Sequence, residues 1–503
     1  MKLGELFRGL PEVMLGADAG LEISSLTYDS RQVQPSTLFF AIQGEKADGH
    51  RFIPQALERG AAAVVSEREP PPELAGRWIQ VAKVRRALSH AARAFYAHPD
   101  ARLQLLGITG TNGKTTTAFL LESILRAAGL RAGLFGTIEY RLGERSLPAL
   151  NTTPESLDLL ACFSQLVEWG ARAAVMEVSS HALAQERVWG LHFSAAVFTN
   201  LTRDHLDYHK DFENYFAAKR RLFEGVGAPP PELAVVNAED PWGVKLLALP
   251  FAKRLTFGMN SGADVKPRQF HSGLTGIEAV LATPAGKVEV VSPLVGRANL
   301  QNILAATATG IGLEVPREKI EAGITALRAV PGRFERVDEG QPFLVVVDYA
   351  HTDDALRNVL KTARELTERR LIVVFGCGGE RDRTKRPLMG EAAGSLADFT
   401  VLTSDNPRGE DPLLILADAL VGLQKTTKPH VVEVDREAAV RKALGEAKEG
   451  DVVVLAGKGH ETYQVLKDRT IPFDDREVAA RVLREMGYHP GQTNGNRLKS
   501  VRR

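Results

Sequence analysis

From Ala101 onward the chain repeats one unit: a short apolar run, a cluster of small, polar or charged residues, then a helical stretch. LQLLGI leads into TGTNGKTTT, AAVME into VSSH, AAVFTN into LTRDH and ELAVVN into AEDP. Unbroken apolar runs suit strands buried on both faces, so the pattern predicts a parallel sheet covered by helices. In open α/β sheets ligands bind beyond the carboxyl ends of the strands, where each of these polar clusters falls. A second series follows the PGRFE segment at Pro331: FLVVVDYAH, LIVVFGCGGERD, FTVLTSDNPR and DVVVLAGKGHE. It predicts a second α/β domain of dinucleotide-fold type, with its own strand-end site facing the first across a cleft.

At 503 residues the chain is too long for one core, since cores stop growing near about 250–300 residues. Three domains are expected: 1–100, 101–330 and 331–490, followed by a Gly/Asn-rich basic tail, 491–503, expected to be disordered. The first holds LTYDSRQVQPSTLFFAIQG and AAAVVSE and ends at a His-Pro-Asp turn beginning at His98. A net charge of +1 lacks the basic excess that nonspecific nucleic-acid binding favours. Cys162 and Cys377, the only cysteines, suit a reducing cytosol rather than a disulfide framework. Glu5 and Arg8 interrupt what a signal peptide would keep apolar, and no apolar run reaches the ~18 residues of a membrane span. A cytoplasmic protein is expected.

GITGTNGKTTT, Gly107 to Thr117, follows a strand and opens the helix AFLLESILRAAG. Glycines let backbone N–H groups turn towards phosphate oxygens, and the helix N-terminus adds partial positive charge. Lys114 can reach the outer phosphates and the Thr115 hydroxyl can hold Mg²⁺. The loop departs from G-x-x-x-x-G-K-[ST] in having Ile108 at the first glycine position, and is built on Gly107, Gly110 and Gly113. ATP is the expected ligand, on Gly110, Thr111, Asn112, Gly113, Lys114, Thr115 and Thr116.

GTNGKTT, EVSSH, NLTRDHLDYH, AAKRRLF, GRFE, DYAH and DNPR, in this order, resemble the Mur ligase family, the ATP-dependent amide-forming enzymes of bacterial cell-wall synthesis. The resemblance runs from about Ser24 to Asp475. It implies a small N-terminal α/β domain for a uridine nucleotide, a central P-loop ATPase-like parallel-sheet domain and a C-terminal Rossmann-like domain, in a monomer whose domains close on ligands. A carboxylate does not condense with an amine in water; phosphorylation by ATP makes it an acyl phosphate that an amine can displace, with cations offsetting the anionic charge.

Glu177, a hard oxygen donor at a strand end, is a candidate Mg²⁺ ligand, and the family's matching glutamate binds the metal. The alternative is a solvated strand-end carboxylate. His205 resembles the family's histidine near a second metal ion; the alternative is a histidine satisfied by neighbouring acids. Lys219 stands with Arg220 and Arg221, which would ordinarily mean a solvated helix face. The family's matching lysine is carbamylated, and the resemblance implies a carbamate that holds metal. That modification needs an unprotonated amine, which burial or nearby cations favour. By resemblance Asn299 and Asn302 lie near the adenine, and Arg333 and Asp348 close over ATP. The last two could equally be hinge contacts.

The implied acceptor is UDP-N-acetylmuramoyl-L-Ala-D-Glu. Ser30 and the Glu45-Lys46-Ala47 loop match uridine-nucleotide contacts, and Asn151, Thr152, Thr153, Ser179, Gln185 and Arg187 match contacts to the muramoyl-peptide. NTTPE also reads as a helix N-cap with proline in the first turn. The implied amine is meso-diaminopimelate. Arg408 in DNPR carries a rigid fork suited to a carboxylate, aimed by the preceding Pro407. Asp405, Asn406, Arg381, Gly457 and Glu461 complete that pocket, with Asp405 and Glu461 suited to an ammonium group. The alternative is an Asn-Pro turn with a solvent-facing arginine. Against these implications stand another amide ligase, such as folylpolyglutamate synthetase or a lysine-adding relative, a catalytically silent relative, and a P-loop kinase. DNPR and the uridine-domain residues argue against the first, retention of Lys114, Glu177 and Lys219 against the second, and the C-terminal pocket against the third.

Overall fold

The computed structural model describes residues 1–490 apart from 45, 46, 261 and 274. The expected tail, 491–503, and the Glu45-Lys46 pair lie outside the described residues.

The chain forms a mixed α/β protein with three main sheets. The first has five strands in the order Val13–Leu15, Trp78–Val81, Ala61–Ser66, Thr37–Phe40, Ser25–Thr27, parallel except for the first pair. The central sheet has eight: Lys253–Phe257, Leu233–Asn237, Ala195–Phe198, Gln104–Thr109, Ala173–Glu177, Ala132–Phe135, Glu139–Leu142 and Arg145–Pro148. Its first six run parallel. The last two form an antiparallel hairpin on the edge, where only one face needs an apolar row. The C-terminal sheet has six: Glu335–Val337, Leu344–Asp348, Val452–Ala456, Leu371–Phe375, Phe399–Thr403 and His430–Glu433, antiparallel only at the first pair. All eight apolar runs picked out in the sequence are strands of the two larger sheets. The edge hairpin and a separate three-stranded meander, Lys266–Gly273, Gly276–Thr283 and Gly286–Ser292, were not foreseen, because their mixed polar sequences lack the buried-strand signature.

Alternate residues of the central strands enter different cores, as sheet geometry demands. Leu105, Ala174, Ala196 and Val236 join a cluster shared with N-terminal residues such as Leu38, Leu88 and Ala91. Leu106, Val175, Val197 and Val235 pack beneath the helices Lys114–Ala127 and Arg297–Gly312. The N-terminal domain is therefore welded to the central one by a common apolar core. The C-terminal sheet keeps its own two clusters and meets the rest of the chain through polar contacts.

Candidate active site

Ile108, at the expected first glycine position of the phosphate loop, is a fully buried strand residue between Glu177 and Val197, so the turn starts two residues later than in the strict pattern. Gly110 and Gly113 have φ of +149° and +87°. A Cβ on Gly110 would overlap the Thr199 hydroxyl and one on Gly113 would overlap Asn302 Oδ1. Gly113 caps the helix Lys114–Ala127 without any side-chain hydrogen bond, which leaves the first-turn N–H groups directed into the cleft. Lys114 Nζ donates to the carbonyl oxygens of Gly110 (3.0 Å) and Thr111 (2.8 Å). Burial lowers its pKa, with Glu177 and Asp204 opposing the shift.

Two adjoining cavities, of about 880 and 1240 Å³, lie at the strand ends. Thr111, Asn112, Gly113, Lys114, Thr115, Thr116, Glu177, Asn299, Asn302, Arg333 and Asp348 line the first. Asn302 Nδ2 donates to Asn299 Oδ1 at 3.3 Å, and both stand on the helix Arg297–Gly312. Arg333 donates to Thr115 Oγ1 at 3.1 Å, a C-terminal arginine on the phosphate loop's own hydroxyl. Burial raises the pKa of Asp348, whose carboxylate accepts from the Phe334 N–H at 2.8 Å.

Glu177 ends its strand 1% exposed, so it is no solvated carboxylate. Its two oxygens accept from the backbone N–H (2.8 Å) and hydroxyl (3.1 Å) of Thr137, while Gly136 leaves the carboxylate room that a Cβ would take. Lys219, on the helix Phe212–Glu224, is also 1% exposed, and the solvated face belongs to its neighbour Arg220. Its Nζ donates to the Gly110 carbonyl at 2.8 Å and lies 4.4 Å from the Tyr215 ring centre. Burial, then the charge of Lys114, pushes its pKa well below the usual lysine range. A shift in that direction favours the unprotonated amine that a carbamate requires.

His205 lines both cavities and sits 3.3 Å from Asp204 through Nε2, so the partnering by a neighbouring acid is realised. Burial lowers its pKa and Asp204 opposes. Among the described residues no group of three His, Cys, Asp or Glu side chains is arranged to hold a metal by itself. A divalent ion beside Glu177 and Thr115 would take further oxygens from a phosphate, and the hard-oxygen donors present fit Mg²⁺.

The second cavity is lined by Arg381, Asp405, Asn406, Arg408, Gly457 and Glu461 on one side and by Asn151, Thr152, Ser179, Gln185 and Arg187 on the other. Arg408 is half-buried with φ +52°, and its NH1 donates to the Gly379 carbonyl at 2.8 Å. Pro407 does not line the cavity; its carbonyl fills the space a Cβ on Gly379 would need. Asn406 donates to Glu461 Oε2 (2.8 Å) and accepts from the Val465 N–H (2.9 Å). Burial works against ionisation of Asp405, but Lys458 and Arg436 outweigh it and hold its pKa below the ordinary value.

Ser30 and Thr153 line neither cavity. Ser30 donates to Gln55 Oε1 at 2.7 Å. Thr153 is fully buried; its hydroxyl donates to the Glu177 carbonyl (2.9 Å) and accepts from the Ser179 N–H (3.0 Å), bracing two cavity residues from behind. The expected N-cap at NTTPE is not formed as read: the helix runs Ser156–Glu168, with Glu155 at the cap and Pro154 outside it.

Sequence reasoning passed over several residues at the site. Lys458, fully buried, donates to Asn406 Oδ1 (3.2 Å) and Glu461 Oε2 (3.0 Å); it stands inside the quoted GKGHE, and that was its only signal. Asp354 accepts from Asn112 Nδ2 (2.9 Å) and Thr202 Oγ1 (2.8 Å), joining the C-terminal helix Asp353–Glu365 to the phosphate loop. Arg85 reaches the second cavity from the N-terminal domain and shares Glu155 with Arg187, at 3.2 and 3.1 Å.

Known proteins resemble this chain over nearly its whole length. The Mur ligase family catalytic domain matches residues 22–96, the Mur ligase middle domain 108–310 and the Mur ligase glutamate ligase domain 332–459. UDP-N-acetylmuramoyl-L-alanyl-D-glutamate–2,6-diaminopimelate ligase of Solibacter usitatus is 58% identical over 494 residues, covering 98% of this chain and 100% of the relative. The protein of that name from Geobacillus thermodenitrificans is 47% identical, covering 96% and 100%. A solved structure of a ligase of the same name superposes with a TM-score of 0.68 at 32% identity, covering 97% of this chain and 99% of its own. Folylpolyglutamate synthase of Mycobacterium tuberculosis, 18% identical with a TM-score of 0.60 over 80% of this chain and 95% of its own, shares the fold.

Proposed function

The chain belongs to the Mur ligase family, and from that premise we propose that it joins meso-diaminopimelate to the D-Glu γ-carboxylate of UDP-N-acetylmuramoyl-L-Ala-D-Glu, with ATP, through an acyl phosphate, in peptidoglycan synthesis. The observation that carries this reading is the continuity of the two cavities. Both are lined by Thr137, Thr152, Ser179, Asp204, His205, Tyr349 and His351, so a carboxylate there touches the phosphate side and the amine side at once.

In this reading the helix N-terminus and Lys114 bind the ATP phosphates, and Arg333 and Asp348 close over them. Thr115, Glu177, His205 and carbamylated Lys219 would hold Mg²⁺, which neutralises phosphate charge. Asn299 and Asn302 face the base. Asn151, Thr152, Ser179, Gln185 and Arg187 orient the muramoyl-peptide, braced by Thr153, while Ser30, hydrogen-bonded to Gln55, contacts the uridine nucleotide. Arg408 and Arg381 take the distal carboxylate of diaminopimelate; Asp405, Asn406 and Glu461 take an ammonium group. A cation in a desolvated pocket left unpaired by lysine costs on the order of several kcal/mol, enough to discriminate. The same reading divides the chain near residues 100 and 330 and describes a monomer working in the cytoplasm; among the described residues no helix is long and apolar enough to cross a membrane.

The test is ADP release measured beside mass detection of the product, with ATP, Mg²⁺, the UDP-dipeptide and meso-diaminopimelate. One tripeptide per ADP, with no product when any component is left out, is the expected result. A stable phosphorylated dipeptide without amide would replace the reading with that of a kinase.

A further inference from the structure

An amine arrives at neutral pH as an ammonium ion, which has no lone pair with which to attack an acyl phosphate. A proton acceptor is needed where the two cavities meet. Three groups that can accept a proton at neutral pH line both: Asp204, His205 and His351. His205 directs Nε2 at Asp204, 3.3 Å away, so those two occupy each other.

His351 is arranged differently. Its Nδ1 lies 2.8 Å from the carbonyl oxygen of Tyr349, and a carbonyl can only accept, so Nδ1 carries the proton. In the neutral ring Nε2 is then an unprotonated lone pair. Thr352, the next residue, caps the helix Asp353–Glu365 by accepting from the Ala355 N–H at 3.2 Å, and the Tyr349 ring packs 4.6 Å from the imidazole, which fixes the backbone and ring plane. We propose that His351 is the general base that takes the proton from the incoming amine, a role that rests on the amide-ligase reading above.

The step balances without another reactant. One N–H proton of the ammonium passes to Nε2, and the freed lone pair forms the C–N bond to the acyl carbon. The C–O bond to phosphate then breaks, its electron pair leaving with the phosphate, which also takes the second amine proton. The imidazolium returns its proton to water. Burial and then Lys385 lower the pKa of the imidazole, which favours its neutral form, with Arg333 acting in the same direction and Asp204 and the Tyr349 carbonyl opposing. His460, Asp405 and the Tyr349 phenol also face it.

Hydroxylamine separates this role from a structural one, because it is already neutral at pH 7 and traps an acyl phosphate as a hydroxamate without a base. His351→Gln and His351→Asn should lower the ratio of tripeptide to hydroxamate formation by about 100-fold or more, the scale of general-base catalysis. The tripeptide rate of the variants should recover as pH rises and the free amine becomes abundant. Equal losses of both products in both variants, or an unchanged ratio, would overturn the proposal. If the wild-type protein forms hydroxamate but no tripeptide with diaminopimelate, it is the choice of amine that fails.

Discussion

Lys219 Nζ donates to the carbonyl oxygen of Gly110 across 2.8 Å, tying a buried lysine to the backbone of the phosphate loop, where Lys114 donates to the same oxygen at 3.0 Å. Two cationic groups on one carbonyl in a desolvated site repel, and burial followed by the charge of Lys114 pushes the pKa of Lys219 well below the usual lysine range.

Lys219→Ala should therefore abolish tripeptide formation, by about 100-fold or more if a metal-holding anion is lost, and formate or acetate should restore part of it by standing in for the carbamate. Full activity in the variant without added acid would remove the carbamate from the account.

The same lysine gives stability a definite pH slope. Its folded-state pKa is depressed, so between that value and the ordinary 10.5 the unfolded chain binds a proton that the folded one does not. In carbon-dioxide-free buffer the contribution of this group should make the unliganded protein more stable as pH rises through that window. Urea titrations at pH 7 and pH 9 should show a smaller rise for Lys219→Met than for the wild type; equal slopes contradict the assignment.

Gly113→Ala places a Cβ on Asn302 Oδ1 at a residue whose φ is +87°. Left-handed backbone costs a non-glycine residue about 1–2 kcal/mol before the overlap is counted. ATP affinity measured by calorimetry should fall at least ~10-fold, and the melting temperature should drop by a few degrees because the strain is carried by the folded state. Unchanged affinity would mean that the loop does not hold the nucleotide.

Asp354→Ala removes the acceptor shared by Asn112 and Thr202. With the C-terminal domain keeping its own core, this contact bridges the cleft together with those from Arg333 to Thr115 and from Arg203 to Thr384. Small-angle scattering should give a larger radius of gyration without nucleotide, and KM for ATP should rise several-fold. An unchanged radius would mean that closure rests elsewhere.

Most of the candidate site's placement was legible because it lies at strand ends, and strand ends follow from apolar runs. Glu177, Asp348, Asp405 and Gly457 each sit at or within two residues of the end of one. What sequence could not give was the direction of a side chain. Lys219 reads as one of three basic residues on a helix, yet it points inward while Arg220 points out, and only tertiary packing decides this. Thr153 belongs to a matched motif but turns behind the cavity wall to brace Glu177 and Ser179, and Ser30 pairs with Gln55 away from both cavities. Asp354 and Lys458 matter through partners 242 and 52 residues away, Asn112 and Asn406, and no local pattern records such pairings.

The measurement that tests the central claim most directly offers meso-diaminopimelate and L-lysine in parallel to the wild type and to Arg408→Ala, with the tripeptide read by mass. The account predicts product from diaminopimelate in the wild type, a loss of about 100-fold or more in kcat/KM for diaminopimelate in the variant, and little or no lysine product from the wild type. Equal use of lysine by the wild type, or an unimpaired Arg408→Ala, would contradict the assignment of the second cavity as a diaminopimelate pocket.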